Sequence, residues 1–178
     1  MMFSSVRVRF LLLSLAVFVL DHLTKWWVEA TYPLGASTEI IAGFFNLTHV
    51  RNTGVAFGLF AAHGADGGAW FLIALGIVAL AAVAVYFRLA PLDNRLLLTA
   101  LALILGGAVG NLGDRIASGG VTDFFDFYWG DHHFPAFNIA DSAISIGIGL
   151  MILDSFRPHR APDVDAAPPD PDAPPALS

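Results

Sequence analysis

The stretch from Ala69 to Phe87 runs for nineteen residues without a charged side chain. At about 1.5 Å of rise per residue, a helix of that length crosses roughly 30 Å of hydrocarbon. Inside a bilayer each backbone N–H and C=O has to be satisfied within the protein, so an apolar run of this kind has to be helical. Three further runs have the same character, at about 10–28, 96–112 and 139–156. The chain therefore reads as an all-α integral membrane protein with four transmembrane helices. Its composition agrees. It is 56% hydrophobic and 13% charged, whereas soluble domains carry about 25% charged residues. That composition argues against a soluble globular enzyme. The absence of cysteine excludes disulfides, thiolate metal sites and cysteine nucleophiles. The formal charge of -6 argues against nucleic-acid binding.

Arg7 and Arg9 followed by Phe10 to Leu20 imitate a signal peptide. No small-x-small cleavage site follows, however, and Asp21 to Val28 continues the helix, so an uncleaved first span is expected. Arg7, Arg9, Arg88, Arg95, Arg157 and Arg160 all fall on one side of the four spans. The positive-inside rule makes that side cytoplasmic, with both termini. The connections at about 29–68 and 113–138 then face outward. Residues 1–157 form one membrane domain. Residues 158–178 form an acidic, proline-rich cytoplasmic tail expected to be disordered, since Ala, Asp and Pro in alternation bury too little apolar surface to fold.

The first outward connection is too apolar for a solvated loop. Ser37 to Ile41 and Phe44 to Val50 read as two strands around Ala42-Gly43, a small outward-facing sheet or extended platform. Phe44, Phe45, Leu47, Val55, Phe57, Leu59 and Phe60 would lie against a bilayer surface. Such a sheet either covers the bundle or meets a membrane-embedded substrate.

Charged and amide side chains concentrate at the outward ends of three spans, where burial is costly unless they are paired or useful. Asp21 and Lys25, four residues apart, share a helix face and can pair. Asn111, Asp114 and Arg115 project from one side of the third span, above the Gly106/Gly110 packing surface. Asp123 and Asp126 are set among aromatics, surroundings that disfavour a carboxylate. Asn138 is a candidate N-cap, which places Asp141 in the first helical turn near the positive end of the dipole. Two acids in unlike surroundings, if close, share a proton, the arrangement that activates a water and protonates a leaving amine. A proton relay or a structural polar cluster would use the same residues.

Asp21-x-x-Thr24-Lys25, Asn52-x-Gly54-x-Ala56-Phe57-Gly58, Gly106-Gly107-Ala108-x-Gly110-Asn111-x-x-Asp114-Arg115, Val121-x-Asp123-Phe124 and Phe137-Asn138-x-Ala140-Asp141-Ser142 together resemble the lipoprotein signal peptidases (signal peptidase II), in the family's order over about residues 6–156. The resemblance implies an aspartic endopeptidase of the bacterial inner membrane, multi-pass; a monomer is expected. It would remove the signal peptide from diacylglyceryl-modified prolipoproteins at the outer membrane face. It implies Asp123 and Asp141 as the catalytic pair. Asn52, Gly54, Asn111, Arg115, Asn138 and Ala140 would surround substrate or dyad, with Asp21, Lys25 and Asp114 as polar braces. No catalytic role is carried onto Asp126.

On this reading one ionised aspartate takes a proton from water and the other, protonated, polarises the scissile carbonyl. Asn111 and Asn138 would hold substrate backbone, and Arg115 would donate to carbonyls or to Asp114. The partners are lipid-modified prolipoproteins and the phospholipid bilayer. No cofactor, metal or nucleic acid is expected, and His132-His133 reads as a wet loop. The alternatives are a small proton-coupled transporter, a serine–lysine peptidase using Ser142 and Lys25, and a scaffold without chemistry.

Overall fold

The computed structural model describes residues 5–54 and 64–157. Val55, Phe57, Leu59 and Phe60 of the expected platform, Ala56 and Gly58 of the second motif, and the tail at 158–178 lie outside the described residues. The order is α1 (Ser5–Thr31), β1 (Ser37–Ile41), β2 (Phe45–Asn52), α2 (Gly64–Leu89), α3 (Arg95–Ser118), β3 (Val121–Trp129), β4 (His132–His133) and α4 (Ile139–Ser155).

Helix α3 is the hub. Leu98, Ala100, Leu101 and Ala102 on it are sealed from solvent, and α1, α2 and α4 all pack on it. Its start is set by Asn94, whose side chain accepts from Leu97 N. Its end is set by Gly119 at φ +74°, whose N–H returns to the Arg115 carbonyl. Two adjacent glycines let the neighbouring backbones close in. A Cβ on Gly106 would stand 2.5 Å from the Ser14 carbonyl oxygen of α1, and one on Gly107 would stand 2.4 Å from the Ala140 carbonyl oxygen of α4. Ser14 Oγ uses the first approach to donate to the Ala102 carbonyl at 2.8 Å. At the far end Asn94 Nδ2 donates to Asp154 Oδ2 at 2.8 Å, tying the start of α3 to the end of α4.

The outer faces are apolar. Trp70, Leu75, Val78, Val85 and Leu89 of α2, and Leu12, Leu15 and Leu23 of α1, are exposed. Exposed apolar area on that scale marks a surface that is not built for water. Residues Trp70–Leu89 and Arg95–Ser118 are long and apolar enough to cross a membrane, the first almost wholly exposed and the second mostly buried. Helix α1 mixes its apolar run with Arg7, Arg9, Asp21, Lys25 and Glu29, and α4 has 17 residues.

The sheet has four strands in the order β1-β2-β3-β4, all antiparallel. The first two strands fall where the sequence puts them. Strand β3, however, occupies the connection at 113–138 for which no strand is expected. Its first four residues are buried whichever way they point, the next four are half-buried, and only the last, Trp129, is exposed. A strand covered on both faces loses the period-two alternation that identifies strands in sequence. The expectation of a wet loop at His132-His133 is corrected as well. These residues form β4, paired with Tyr128 and Trp129 across a two-residue Gly130-Asp131 turn with Gly130 at φ +58°.

Candidate active site

Four elements deliver polar side chains to one place at the sheet end of the bundle. Strand β2 brings Asn52 beside β3, with Val50 opposite Asp123 in the register. Gly54, at φ +73°, turns the chain so that its N–H donates to Asn52 Oδ1 at 2.9 Å. That bond leaves the Asn52 amide pointing at Asp123, and Asn52 Nδ2 donates to Asp123 Oδ2 at 2.9 Å. Asp123 is 2% exposed.

The start of α4 supplies the opposite side. Asn138 caps the helix, its Oδ1 accepting from Asp141 N at 2.9 Å, while Asp141 Oδ2 accepts from Asn138 N at 3.3 Å. This reciprocal capping box fixes both side chains. The free half of the Asn138 amide reaches across to β3, Nδ2 donating to Asp123 Oδ1 at 2.7 Å. One asparagine thus links the two acids. From α3, Asn111 Nδ2 donates to Asp141 Oδ1 at 2.7 Å and Asn111 Oδ1 accepts from Asn138 Nδ2 at 3.3 Å. Asp123 and Asp141 are held by neutral amides, and neither forms an ion pair among the described residues. Burial is the main cause that pushes the Asp123 carboxyl up to about 6. The charge of Asp141 adds to it, while the Asn52 and Asn138 bonds and the more distant Lys25 charge pull the other way. A cavity of about 450 Å³ opens beside Asp123, lined by Val50, Asn52, Gly54, Pro135 and Ala136.

Next to it lies a charged cluster. Lys25 Nζ donates to Asp21 Oδ2 at 2.7 Å, Asp114 Oδ2 at 2.6 Å and Asn111 Oδ1 at 2.9 Å, so all three of its protons are used. Asp21 Oδ1 accepts from Ala140 N at 2.9 Å, tying α1 to the first turn of α4. Ala140 is therefore sealed against α1 and α3 and does not face the cavity. Arg115 donates to the Asn111 carbonyl at 3.2 Å. Of the two partners expected for it, a backbone carbonyl is the one it meets, while Asp114 bonds Lys25. Its Nε is buried without a protein partner. Ser142 Oγ donates to the Asn138 carbonyl at 2.8 Å, with Lys25 committed elsewhere. That geometry removes the serine–lysine alternative. Among the described residues no three His, Asp or Glu side chains converge as metal ligands.

Some contributors escaped the sequence reading. Thr122 Oγ1 donates to Glu29 Oε1 at 2.5 Å, and Arg51, 3.9 Å from the same oxygen, donates to the Ser118 carbonyl at 2.6 Å. Glu29 continues the Asp21, Lys25 spacing by four more residues, a signal that was present on the same helix face. Asp126 accepts from Asn46 Nδ2 at 2.9 Å and meets His133 Nδ1 at 2.8 Å, away from the other acids.

A model of the family described as Signal peptidase (SPase) II matches residues 13–157. The chain belongs to that family. It is 48% identical over 158 residues to a lipoprotein signal peptidase of Desulforapulum autotrophicum, covering 88% of this chain and 96% of that one. It is 47% identical over 148 residues to one of Actinobacillus succinogenes, covering 83% and 90%, and 44% identical over 143 residues to one of Symbiobacterium thermophilum, covering 80% and 91%. Among solved structures it superposes on a bacterial membrane enzyme determined by the in meso method at 1.9 Å resolution, with a TM-score of 0.75 and 33% identity over 85% of this chain and 94% of that one. A second such enzyme, at 2.3 Å resolution, gives a TM-score of 0.72 at 31% identity, covering 86% and 94%. Like these signal peptidase II relatives and membrane-enzyme neighbours, the chain is a membrane protein built on the same fold.

Proposed function

We propose that this chain is an intramembrane aspartic endopeptidase that cleaves the signal peptide from diacylglyceryl-modified prolipoproteins, with Asp123 and Asp141 as its catalytic pair. All four helices span the bacterial inner membrane, both termini are cytoplasmic, and the sheet end, with its exposed Trp129, Phe134 and Phe44, lies at the outer face. Residues 1–157 form the working unit, as a monomer. Family membership supports peptide hydrolysis over the proton-coupled transporter. The polar side chains also gather at one end of the helices, where a relay would need them through the span.

The observation that carries the catalytic assignment is the bridging Asn138, which binds one acid with its amide and caps the helix bearing the other. Asp123, pushed up to about 6, is the acid that holds a proton. Asp141, surrounded by donors, is the carboxylate. The water oxygen bonds to the scissile carbonyl carbon as its proton passes to Asp141, and Asp123 gives its proton to the carbonyl oxygen. When the tetrahedral intermediate collapses, the C–N bond breaks, the nitrogen takes the proton from Asp141, and the carbonyl oxygen returns its own to Asp123. The cavity beside Asp123, with Asn52 at its edge, receives the substrate backbone.

The test is cleavage of a purified diacylglyceryl-modified precursor, followed by its size on a gel, with Asp123→Asn and Asp141→Asn. Each variant is expected to stay folded and membrane-inserted and to lose cleavage. Retained cleavage in either would overturn the pair.

A further inference from the structure

At the end of the bundle away from the sheet, α1 and α2 both pack on α3 and barely on each other. Between them runs a groove of about 590 Å³. Leu11, Leu15 and Phe18 of α1 form one wall, Leu80 and Ala84 of α2 the other, and Leu105 of α3 the floor. Ser14 also lines it, but its hydroxyl is spent on the Phe10 and Ala102 carbonyls. The groove therefore offers no hydrogen bond along its length. Leu11 and Phe18 are seven residues apart, about 10 Å along the helix, which is most of the roughly 15 Å depth of one leaflet.

The charge lies at one end. Arg88 lines the groove there, exposed and without an ion pair among the described residues. Arg7 donates to the Arg88 and Ala90 carbonyls at 2.7 and 3.1 Å, closing the same end with a second guanidinium. A ligand that fits has an uncharged flexible chain and an anionic head. A peptide helix is too large, since about 10 Å of helix some 10 Å across displaces roughly 800 Å³.

We propose that this groove binds one acyl chain of an anionic phospholipid, with Arg88 pairing its phosphate. The inference rests on the proposed insertion of these helices in a bilayer with the arginine end at the cytoplasmic leaflet. It does not rest on the peptide chemistry. The groove is separate from the cavity beside Asp123, with which it shares no lining residue.

The test is native mass spectrometry of the full chain in mild detergent, titrated with dioleoyl phosphatidylglycerol or dioleoyl phosphatidylcholine. The first lipid bound is expected to favour phosphatidylglycerol about fivefold, one basic residue's attraction to an anionic headgroup. Arg88→Gln removes that preference, weakening phosphatidylglycerol more than phosphatidylcholine, whose own choline cation already offsets its phosphate. Ala84→Phe, which fills the groove, lowers retention of both lipids about tenfold. Leu15→Phe fills it from the opposite wall if Ala84→Phe fails to fold. Equal binding of the two lipids by the unaltered protein, a preference that survives Arg88→Gln, or full retention in folded groove-filling variants would each overturn the proposal. So would a folded Ala84→Phe protein that keeps its phospholipid but needs more lipidated precursor to reach half-maximal rate, because the groove would then serve the substrate. Arg88→Gln is expected to cleave the precursor at the unaltered rate, so loss of the lipid preference and loss of peptidase chemistry are read separately.

Discussion

Lys25 and Asp123 are both almost sealed from solvent, 3% and 2% exposed, and both connect to Asn111, Lys25 directly and Asp123 through Asn138. Their surroundings differ in kind. Around Lys25 a cation sits between two carboxylates and every ammonium proton has an acceptor. The lysine offsets one of the two carboxylate charges, and the cluster joins α1, α3 and, through Ala140 N, α4. Around Asp123 and Asp141 the partners are amides, which supply hydrogen bonds and no net charge. A buried and a half-buried acid without a contacting cation resist double ionisation, which favours one proton shared by the pair. The two neighbouring polar clusters thus differ in whether a cation offsets the acids. Burial is the main cause of the raised Asp123 carboxyl, and no contacting cation opposes it.

The largest effect that follows is chemical. Asp123→Asn and Asp141→Asn should each lower precursor cleavage by about 10²- to 10⁴-fold, the usual weight of a positioned acid or base. Stability in detergent should fall by no more than about 1–3 kcal/mol, because asparagine keeps the shape and one acceptor oxygen while its NH2 faces the second donor. Lys25→Met should behave in the opposite way. It strands Asp21, which is fully buried, and breaking such a pair costs about 3–5 kcal/mol of stability. Adding Asp21→Asn should recover part of that loss while preserving the acceptor for Ala140 N. A Lys25→Met protein that melts normally and fails only in cleavage would erase the distinction between the two clusters.

A smaller effect concerns pH. Asp123 must be protonated to donate, so kcat/KM should fall as pH rises through about 6. The bond from Asn52 favours the charged form. Asn52→Leu should therefore move the fall to higher pH, measured as a rate profile on the lipidated precursor. A fall that stays in place would remove Asp123 from the role of acid. The sign for stability is the same. A carboxyl whose pKa is raised on folding contributes most below the ordinary carboxylate range, and its contribution disappears as pH rises through about 6. The fivefold headgroup preference expected at Arg88 is the smallest of these effects.

Much of this arrangement is visible in the chain itself, and the exceptions have physical causes. The pairing of Asp21 with Lys25 and the cap of Asn138 on Asp141 are local, set by helical spacing within four residues, and both are present. Strand β3 was hidden because a strand covered on both faces has no alternating pattern. Glu29 lay on a face already marked by Asp21 and Lys25, but its partner Thr122 is 93 residues away.

The sequence alone determined the apolar helices, the residue types gathered at their polar ends, and the turns and caps, because each depends on neighbours a few positions apart. Only the tertiary structure decided that Asn138 turns its amide toward Asp123, that Lys25 claims Asp114 ahead of Arg115, and that Ala140 faces α1. Those outcomes depend on how closely Gly106 and Gly107 let three helices approach and on which donor reaches each acceptor first. Such competition among distant partners is settled by packing in three dimensions and leaves no local pattern in the chain.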